Sequence, residues 1–199
     1  MSDSLLIALI GFAFVSTATP GPNNMMLLAS GANFGYRRSL PHMFGIVVGM
    51  LVLFSAVGGG LMAIFEVLPQ ADMVLKTVAV GYMLWLAWKI ANAGAPKAAS
   101  AEGRPLTLLQ AAGFQWVNPK AWTMALSGLS LYAPDHSLPA VAAVVLAFAL
   151  VAFPSISLWT ALGQQIRRLL TSPARLRAFN ITMALLLVAS LYPVVMTGL

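Results

Sequence analysis

The sequence predicts an all-α membrane protein with six transmembrane helices, arranged as two inverted three-helix repeats in which helices 1 and 4 are broken at proline motifs. Three observations support this prediction: the composition, the apolar runs, and the basic residues between those runs. Of 199 residues, 60% are hydrophobic and 8% are charged, whereas a soluble domain carries about 25% charged residues. So few charges cannot cover an apolar core in water, which makes the bilayer the expected solvent.

Six apolar runs define the predicted helices. None alternates between polar and apolar residues as membrane strands do, so each is expected to be helical. The runs are 5–34, 43–65, 74–91, 106–132, 138–163 and 178–198. Residues 1–199 are therefore expected to form a single transmembrane domain. Its predicted parts are repeat one (5–91), a cytoplasmic linker (92–105) and repeat two (106–198).

The first run is too long for one straight crossing. It contains roughly 30 residues, which would span about 45 Å as a helix, whereas the hydrocarbon core is about 30 Å thick. Its middle holds the residues Thr19, Pro20, Gly21, Pro22, Asn23 and Asn24. Proline lacks an N–H and glycine tolerates unusual backbone angles, so the helix should break here. The threonine and the two asparagines are candidates to cap the two halves. The run has no basic residues at its start, which argues against a cleaved signal peptide.

The second and third helices carry structural signals. Gly45 and Gly49 form a Gly-x-x-x-Gly step, which favours close packing of helices. Trp85, Trp88 and Lys89 near the end of the third run are typical of an anchor at the membrane interface.

The fourth helix carries a second break. Asn118 is a natural N-cap, and Pro119 suits the first helical position behind it. Gln115 lies three residues earlier and could face a cavity. Lys120 lies deep in the apolar run, where a charge is costly and functional by default. The alternative is a side chain that extends to the cytoplasmic surface.

Basic residues set the predicted orientation. They concentrate in the first, third and fifth loops, as Arg37, Arg38, Lys97, Arg104, Arg167, Arg168, Arg175 and Arg177. By the positive-inside rule these loops are cytoplasmic and both termini are periplasmic. The two three-helix halves then have opposite orientations. This orientation of the loops accounts for the net charge of +6, so the charge does not indicate binding to nucleic acid. The arginines of the fifth loop could instead bind substrate or lipid.

Several kinds of site are not expected. The chain has no cysteine, which excludes disulfides, thiolate metal sites and a cysteine nucleophile. His42 and His136 fall outside the apolar runs and have no partner at helical spacing, which argues against a haem or a metal site. No cofactor, metal or catalytic residue is therefore predicted.

Paired helix breaks near the bilayer midplane are the recurrent sign of a transporter site. The N-terminal ends of the second half-helices would attract a carboxylate, and the C-terminal carbonyls of the first half-helices would suit an ammonium group. Lys120 could hold the carboxylate, or it could carry a coupling proton, because desolvation destabilises its charged form. The predicted substrate-binding residues are Thr19, Pro20, Gly21, Pro22, Asn23, Asn24, Gln115, Asn118, Pro119 and Lys120.

The segments Thr19-Pro20-Gly21-Pro22-Asn23 and Gln115-Trp116-Val117-Asn118-Pro119-Lys120-Ala121 resemble the hallmark motifs of the LysE/RhtB family of amino-acid exporters. The short segments Tyr82-x-x-Trp85-Leu86-Ala87-Trp88-Lys89-Ile90-Ala91 and Asn23-Asn24 are most similar to its cysteine/O-acetylserine branch. The resemblance implies a multi-pass protein of the bacterial inner membrane that exports amino acids, usually by proton antiport. Its implied partners are an amino acid, protons and membrane lipid. No Asp or Glu lies within the apolar runs, which argues against a carboxylate proton carrier and against a cationic substrate.

Two other classes of function compete with export. A membrane enzyme would need a paired acid and base, a metal cluster or an activated nucleophile. A passive channel would need rings of like charge or a repeated filter loop. The sequence shows none of these, although a passive channel or a structural membrane protein remains the alternative. The oligomeric state is open, and a homodimer is compatible with the sequence.

Overall fold

A computed structural model describes residues 2–62, 70–93 and 104–192 of the chain, and all regular secondary structure in these ranges is helical. The helices are α1 Asp3–Ala18, α2 Pro22–Phe34, α3 Tyr36–Gly58, α4 Gln70–Ala91, α5 Leu108–Gln115, α6 Pro119–Tyr132, α7 Leu138–Ile166 and α8 Pro173–Ala189. The predicted all-helical class is confirmed. Three predicted segments lie outside the described ranges. They are the end of the second run at 63–65, the linker residues 94–103 with Lys97, and the end of the sixth run at 193–198.

The described helices have the length and composition of a membrane protein. Three segments are long and apolar enough to cross a bilayer, namely Tyr36–Gly58, Met73–Ala91 and Leu138–Ile166, and a fourth span results if α1 and α2 are counted together. The count of six spans and the inverted repeats stay predictions.

Both predicted helix breaks are present. The axes of α1 and α2 differ by 57°, with Thr19 as the C-cap of α1 and Pro22 in the first turn of α2. In the fourth run, Asn118 caps α6 and Pro119 follows it at the start of the helix. Proline and its capping neighbour act through local backbone chemistry, which explains why the sequence located these breaks.

Two helices begin earlier than predicted. α3 starts at Tyr36 rather than at residue 43, because Gly35 adopts a φ of 83° and turns the chain within one residue. His42 is therefore buried within this helix. The prediction that it lies outside the membrane helices is wrong. α8 starts at Pro173 rather than at residue 178, behind the capping residue Ser172. A hydropathy pattern misses such first turns because their residues are polar.

The core is organised around α2, whose residues from Pro22 to Asn33 are all buried. α2 packs most extensively on α7, which also contacts α1 and α3. The α2–α7 contact is close because a Cβ added at Gly31 would meet the Thr160 carbonyl, and one at Gly163 would meet the Leu28 carbonyl. α3 packs on α5 and α4 on α8.

Polar side chains in the core pair with one another. Asn33 and Asn180 exchange hydrogen bonds of 2.8 and 3.2 Å, and Asn180 also donates to the Ala93 carbonyl at 2.6 Å. Ser30 and Ser39 are 2.7 Å apart at their hydroxyls. Such pairing offsets the cost of burying polar groups, and it ties α2 to α3, to α8 and to the end of α4.

Candidate functional site

The two helix breaks meet at Lys120. Its ammonium donates hydrogen bonds to the Thr19 carbonyl at 2.5 Å and to the Thr19 hydroxyl at 2.9 Å, with a longer contact of 3.4 Å to the Pro20 carbonyl. The lysine stem lies across Gly21, where an added Cβ would be 2.5 Å from the Lys120 Cδ. A side chain at position 21 would therefore displace the lysine stem.

A buried amide pair joins the same two segments. Asn23 donates to the Gln115 Oε1 at 2.8 Å, and Gln115 donates to the Asn23 Oδ1 at 3.1 Å. Gln115 is completely buried and also donates to the Ala111 carbonyl at 3.0 Å. Asn118 adds a longer contact of 3.4 Å to the Gln115 Oε1. Gln115 was predicted to face a cavity, but it is not among the residues that line it. It lies behind the cavity wall, where it holds Asn23.

The carbonyls at the end of α1 already have partners. The Asn24 amide donates to the Thr17 carbonyl at 2.9 Å and to the Thr19 carbonyl at 2.7 Å. The indole N–H of Trp159, a residue that sequence reasoning missed, donates to the Ala18 carbonyl at 3.1 Å. These carbonyls were expected to be available to a substrate ammonium. The protein's own donors occupy them because unpaired carbonyls are costly in an apolar surrounding.

The N-terminal ends of the two second half-helices differ. At α6 the Asn118 side chain accepts a hydrogen bond from the Lys120 backbone N–H at 3.2 Å. At α2 the N-cap residue Gly21 supplies no side-chain hydrogen bond. The first N–H groups of a helix have no partner within it, so the start of α2, which has no side-chain cap, keeps more of its N–H groups available to an anion.

A small cavity lies between the breaks and helices α3 and α7. Its volume is about 20 Å³, which holds about one water molecule and is too small for an amino acid. The lining residues are Thr17, Gly21, Asn23, Asn24, Ile46, Met50, Asn118, Lys120, Met124, Ala152 and Ile156. Five of the ten predicted site residues belong to this set. Thr19, Pro20 and Gln115 instead support lining residues, and Pro22 and Pro119 begin the two half-helices.

Sequence reasoning missed the apolar part of the lining. Ile46, Met50 and Ile156 resemble ordinary core residues in the sequence, because an apolar side chain has no local signal that separates a cavity wall from packing. Only Gly45 and Gly49 pointed to this part of α3. Both glycines lie against the backbone of α5, at Leu108 and Ala112, and so bring α5 next to the cavity-lining stripe.

We expect the Asn23–Gln115 pair to act as one unit in stability. Asn23→Ala removes the shortest hydrogen bond of the Gln115 Oε1, and Gln115→Ala leaves the Asn23 amide without its partner. A buried unpaired polar group costs about 1–3 kcal/mol. The double variant should therefore lose less than the sum of the two single losses, with a coupling of about 0.5–3 kcal/mol. Thermal unfolding in detergent measures the stability loss of the two single variants and of the double variant. Asn92→Ala, at an exposed asparagine, is the control. Strict additivity would contradict the pairing.

Comparison with known proteins identifies similar chains over almost the whole length. Cysteine/O-acetylserine efflux proteins of Escherichia coli strain K12, of Escherichia coli O9:H4 strain HS and of Shigella sonnei strain Ss046 are each 28% identical to it over 190 residues. Each comparison covers 94% of this chain and 96% of the relative. No solved structure matches the chain significantly.

The sequence profile of the LysE type translocators matches residues 14–190. This range includes both helix breaks, Lys120 and the cavity. Translocators and efflux proteins are membrane transporters, so the predictions of a transporter and of a chain that is not an enzyme are confirmed. The resemblance found in the two proline motifs is confirmed as well. The chain belongs to the LysE family of translocators.

Proposed function

We propose that this protein exports small amino acids or close derivatives, cysteine and O-acetylserine among them, from the cytoplasm across the inner membrane in exchange for protons. The observation that carries the proposal is the junction of the two helix breaks at Lys120, beside a cavity. The relatives are named cysteine/O-acetylserine efflux proteins, and this name supports the substrate class.

The contacts of Lys120 suggest how a zwitterion is recognised. The lysine ammonium occupies the Thr19 oxygens, which are the acceptors that a substrate ammonium would use. An incoming amino acid replaces Lys120 there with its own ammonium. The released lysine then pairs with the substrate carboxylate near the uncapped start of α2. One cation takes the place of another, so both charged ends of the substrate are bound without leaving a buried charge unpaired.

The rest of the cavity wall favours a small side chain. The walls contributed by α3, α6 and α7 are Ile46, Met50, Met124, Ala152 and Ile156, all of them apolar. A short, weakly polar side chain such as a thiol suits this surrounding, whereas a second charge would be buried without a partner. Because the cavity holds only about one water, substrate entry requires the helices around it to separate. Such opening on alternate sides is the expected motion of a transporter with inverted repeats.

The helix contacts support two halves related by a two-fold axis. α1 packs on α7, and the corresponding half-helix α5 packs on α3. The pairs α3–α7 and α4–α8 join equivalent helices of the two halves. These four pairs are among those expected if residues 5–91 and 106–198 are inverted repeats.

We expect both termini to be periplasmic, since basic residues occupy the odd-numbered loops. The chain has no cysteine, so single cysteines report topology directly. In spheroplasts, a membrane-impermeant maleimide should label Asp135→Cys at once and Thr171→Cys only after permeabilisation; both positions are exposed. The reverse pattern of labelling would invert the proposed orientation.

The function is tested with purified protein in liposomes. Liposomes loaded with cysteine should exchange it with external labelled cysteine in a saturable manner, and an imposed pH gradient should drive net movement against the cysteine gradient. Protein-free liposomes give the background. Movement that is not saturable and ignores the pH gradient would identify a passive channel instead and overturn the proposal.

A further inference from the structure

His42 is an unusual residue in the core of this protein. It lies in α3 with an exposed fraction of 2%, and neither ring nitrogen has a hydrogen-bond partner among the described residues. An imidazole has one donor and one acceptor when neutral and two donors when protonated. In this conformation neither ring nitrogen of His42 makes a hydrogen bond to a described residue.

Such a residue needs a physical explanation. Buried polar atoms almost always have a partner, and an unpaired one costs about 1–3 kcal/mol. An apolar residue at position 42 would pack without this cost. A role in packing therefore does not account for histidine, whereas a role in another step of the transport cycle does.

The position of His42 connects it to the cavity. Residues three or four apart lie on one face of a helix, so His42 continues the stripe of Ile46 and Met50, which line the cavity. In the other direction the stripe reaches Ser39, which is paired with Ser30. His42 therefore lies between the cavity and the end of α3 that carries Arg37 and Arg38, the predicted cytoplasmic end.

A second unpaired polar atom lies at the same level. The Ser155 hydroxyl on α7 is buried and has no partner among the described residues, and it adjoins the cavity-lining Ile156. α3 and α7 run antiparallel, as the contacts of Tyr36 with Gln164 and of Gly58 with Val141 show. The ring contact of Phe44 with Phe153, at 5.1 Å, indicates that positions 42 and 155 lie at a similar level along this pair.

The surrounding helices offer few other proton carriers. The described helices that pack most extensively on α3 are α2, α5, α6 and α7, and none of them contains Asp or Glu. Their ionisable side chains are Lys120 and Tyr132 of α6, and α3 itself adds Tyr36, Arg37 and Arg38. The Lys120 ammonium contacts the Thr19 oxygens, and the proposed function already assigns it to the substrate. Imidazole is the side chain that ordinarily changes charge between pH 5 and 8.

We propose that His42 carries the transported proton of this exporter. This inference rests on the proposed proton-coupled export. When the cavity is open to the periplasm, a ring nitrogen accepts a proton through its lone pair and an N–H bond forms. When the cavity opens to the cytoplasm, that N–H bond breaks and the proton leaves. Lys120 meanwhile keeps its charge and serves the substrate, so substrate and proton use different side chains.

The test compares wild type, His42→Gln and His42→Met in liposomes with two measurements. Exchange of labelled for unlabelled cysteine without a pH gradient reports the substrate site. Release of protons upon cysteine addition, followed with a trapped pH dye, reports coupling. Both variants should exchange at rates within about twofold of wild type and lose proton movement by at least about tenfold, because neither side chain can be protonated. His42→Met should also unfold at or above the wild-type temperature, since it removes an unpaired polar group.

His136→Asn is the matched control. His136 is the other histidine of the chain, is exposed and has a φ of 50°, a conformation that asparagine tolerates. This variant should keep both exchange and proton movement.

The outcomes separate this inference from the proposed function. Proton movement at the wild-type ratio in either His42 variant overturns the inference and leaves export intact. Loss of exchange together with proton movement in the folded variants also overturns it, because His42 would then serve substrate binding. Absence of saturable exchange in the wild-type protein would overturn the proposed function itself.

Discussion

Lys120→Met is expected to fold, to reach the membrane and to lose most cysteine export. The variant removes the ammonium that contacts the Thr19 carbonyl and hydroxyl and that we assign to the substrate carboxylate. Hydrogen bonds to a charged group contribute about 1.5–3 kcal/mol, and about 1.4 kcal/mol corresponds to a tenfold change in affinity. The apparent affinity for cysteine should therefore fall roughly tenfold to a hundredfold, as measured by exchange in liposomes.

Lys120→Arg should also transport poorly, although it keeps the charge. The guanidinium is a larger planar fork, and the lysine stem lies close against Gly21. Lys89→Met is the matched control, since Lys89 lies over the Trp85 ring at 5.1 Å and near the end of α4, away from the cavity lining. Export by Lys120→Met at the normal rate and with normal pH dependence would reduce Lys120 to an anchor, and the site would then depend on the backbone breaks alone.

Gly163→Ala is expected to destabilise the folded protein strongly. The new methyl group would meet backbone atoms of α2 at Leu28 and Ala32, and backbone cannot move aside as a flexible side chain can. Overpacking of this kind typically costs about 1–3 kcal/mol, occasionally more. Gly31→Ala should behave in the same way, because its methyl group would meet the Thr160 carbonyl of α7. Both changes force apart the two helices that hold the cavity, so exchange should be lost along with thermal stability.

The controls for this prediction are Gly11→Ala and Gly113→Ala. Both glycines are helical, and an added Cβ at either position has nothing within 4 Å. Alanine is favoured over glycine in a helix interior by about 1 kcal/mol, so these variants should match or exceed the wild-type unfolding temperature in detergent. A Gly163→Ala protein as stable as these controls would show that α2 and α7 are not in close contact.

Local chemistry in the sequence determined the class of protein and the position of its breaks. The composition required a bilayer, and the prolines with their capping neighbours located the interruptions between α1 and α2 and between α5 and α6. Lys120 stood out because an ionisable group in an apolar run is costly wherever the chain places it. The two proline motifs also carried the resemblance to the LysE family. Each of these signals depends on residues close together in the chain.

The tertiary structure decided which of those residues meet and what surrounds them. The Lys120–Thr19 contact and the Asn23–Gln115 pair join residues that are far apart in sequence. The closest helix packing depends on Gly31 and Gly163, which form no motif, whereas the sequence pointed to Gly45 and Gly49. His42 was expected outside the membrane helix because its polar neighbours hid the true start of α3. A sequence pattern reflects the backbone and burial preferences of one segment at a time. A cavity and an unpaired imidazole arise only when several helices pack together.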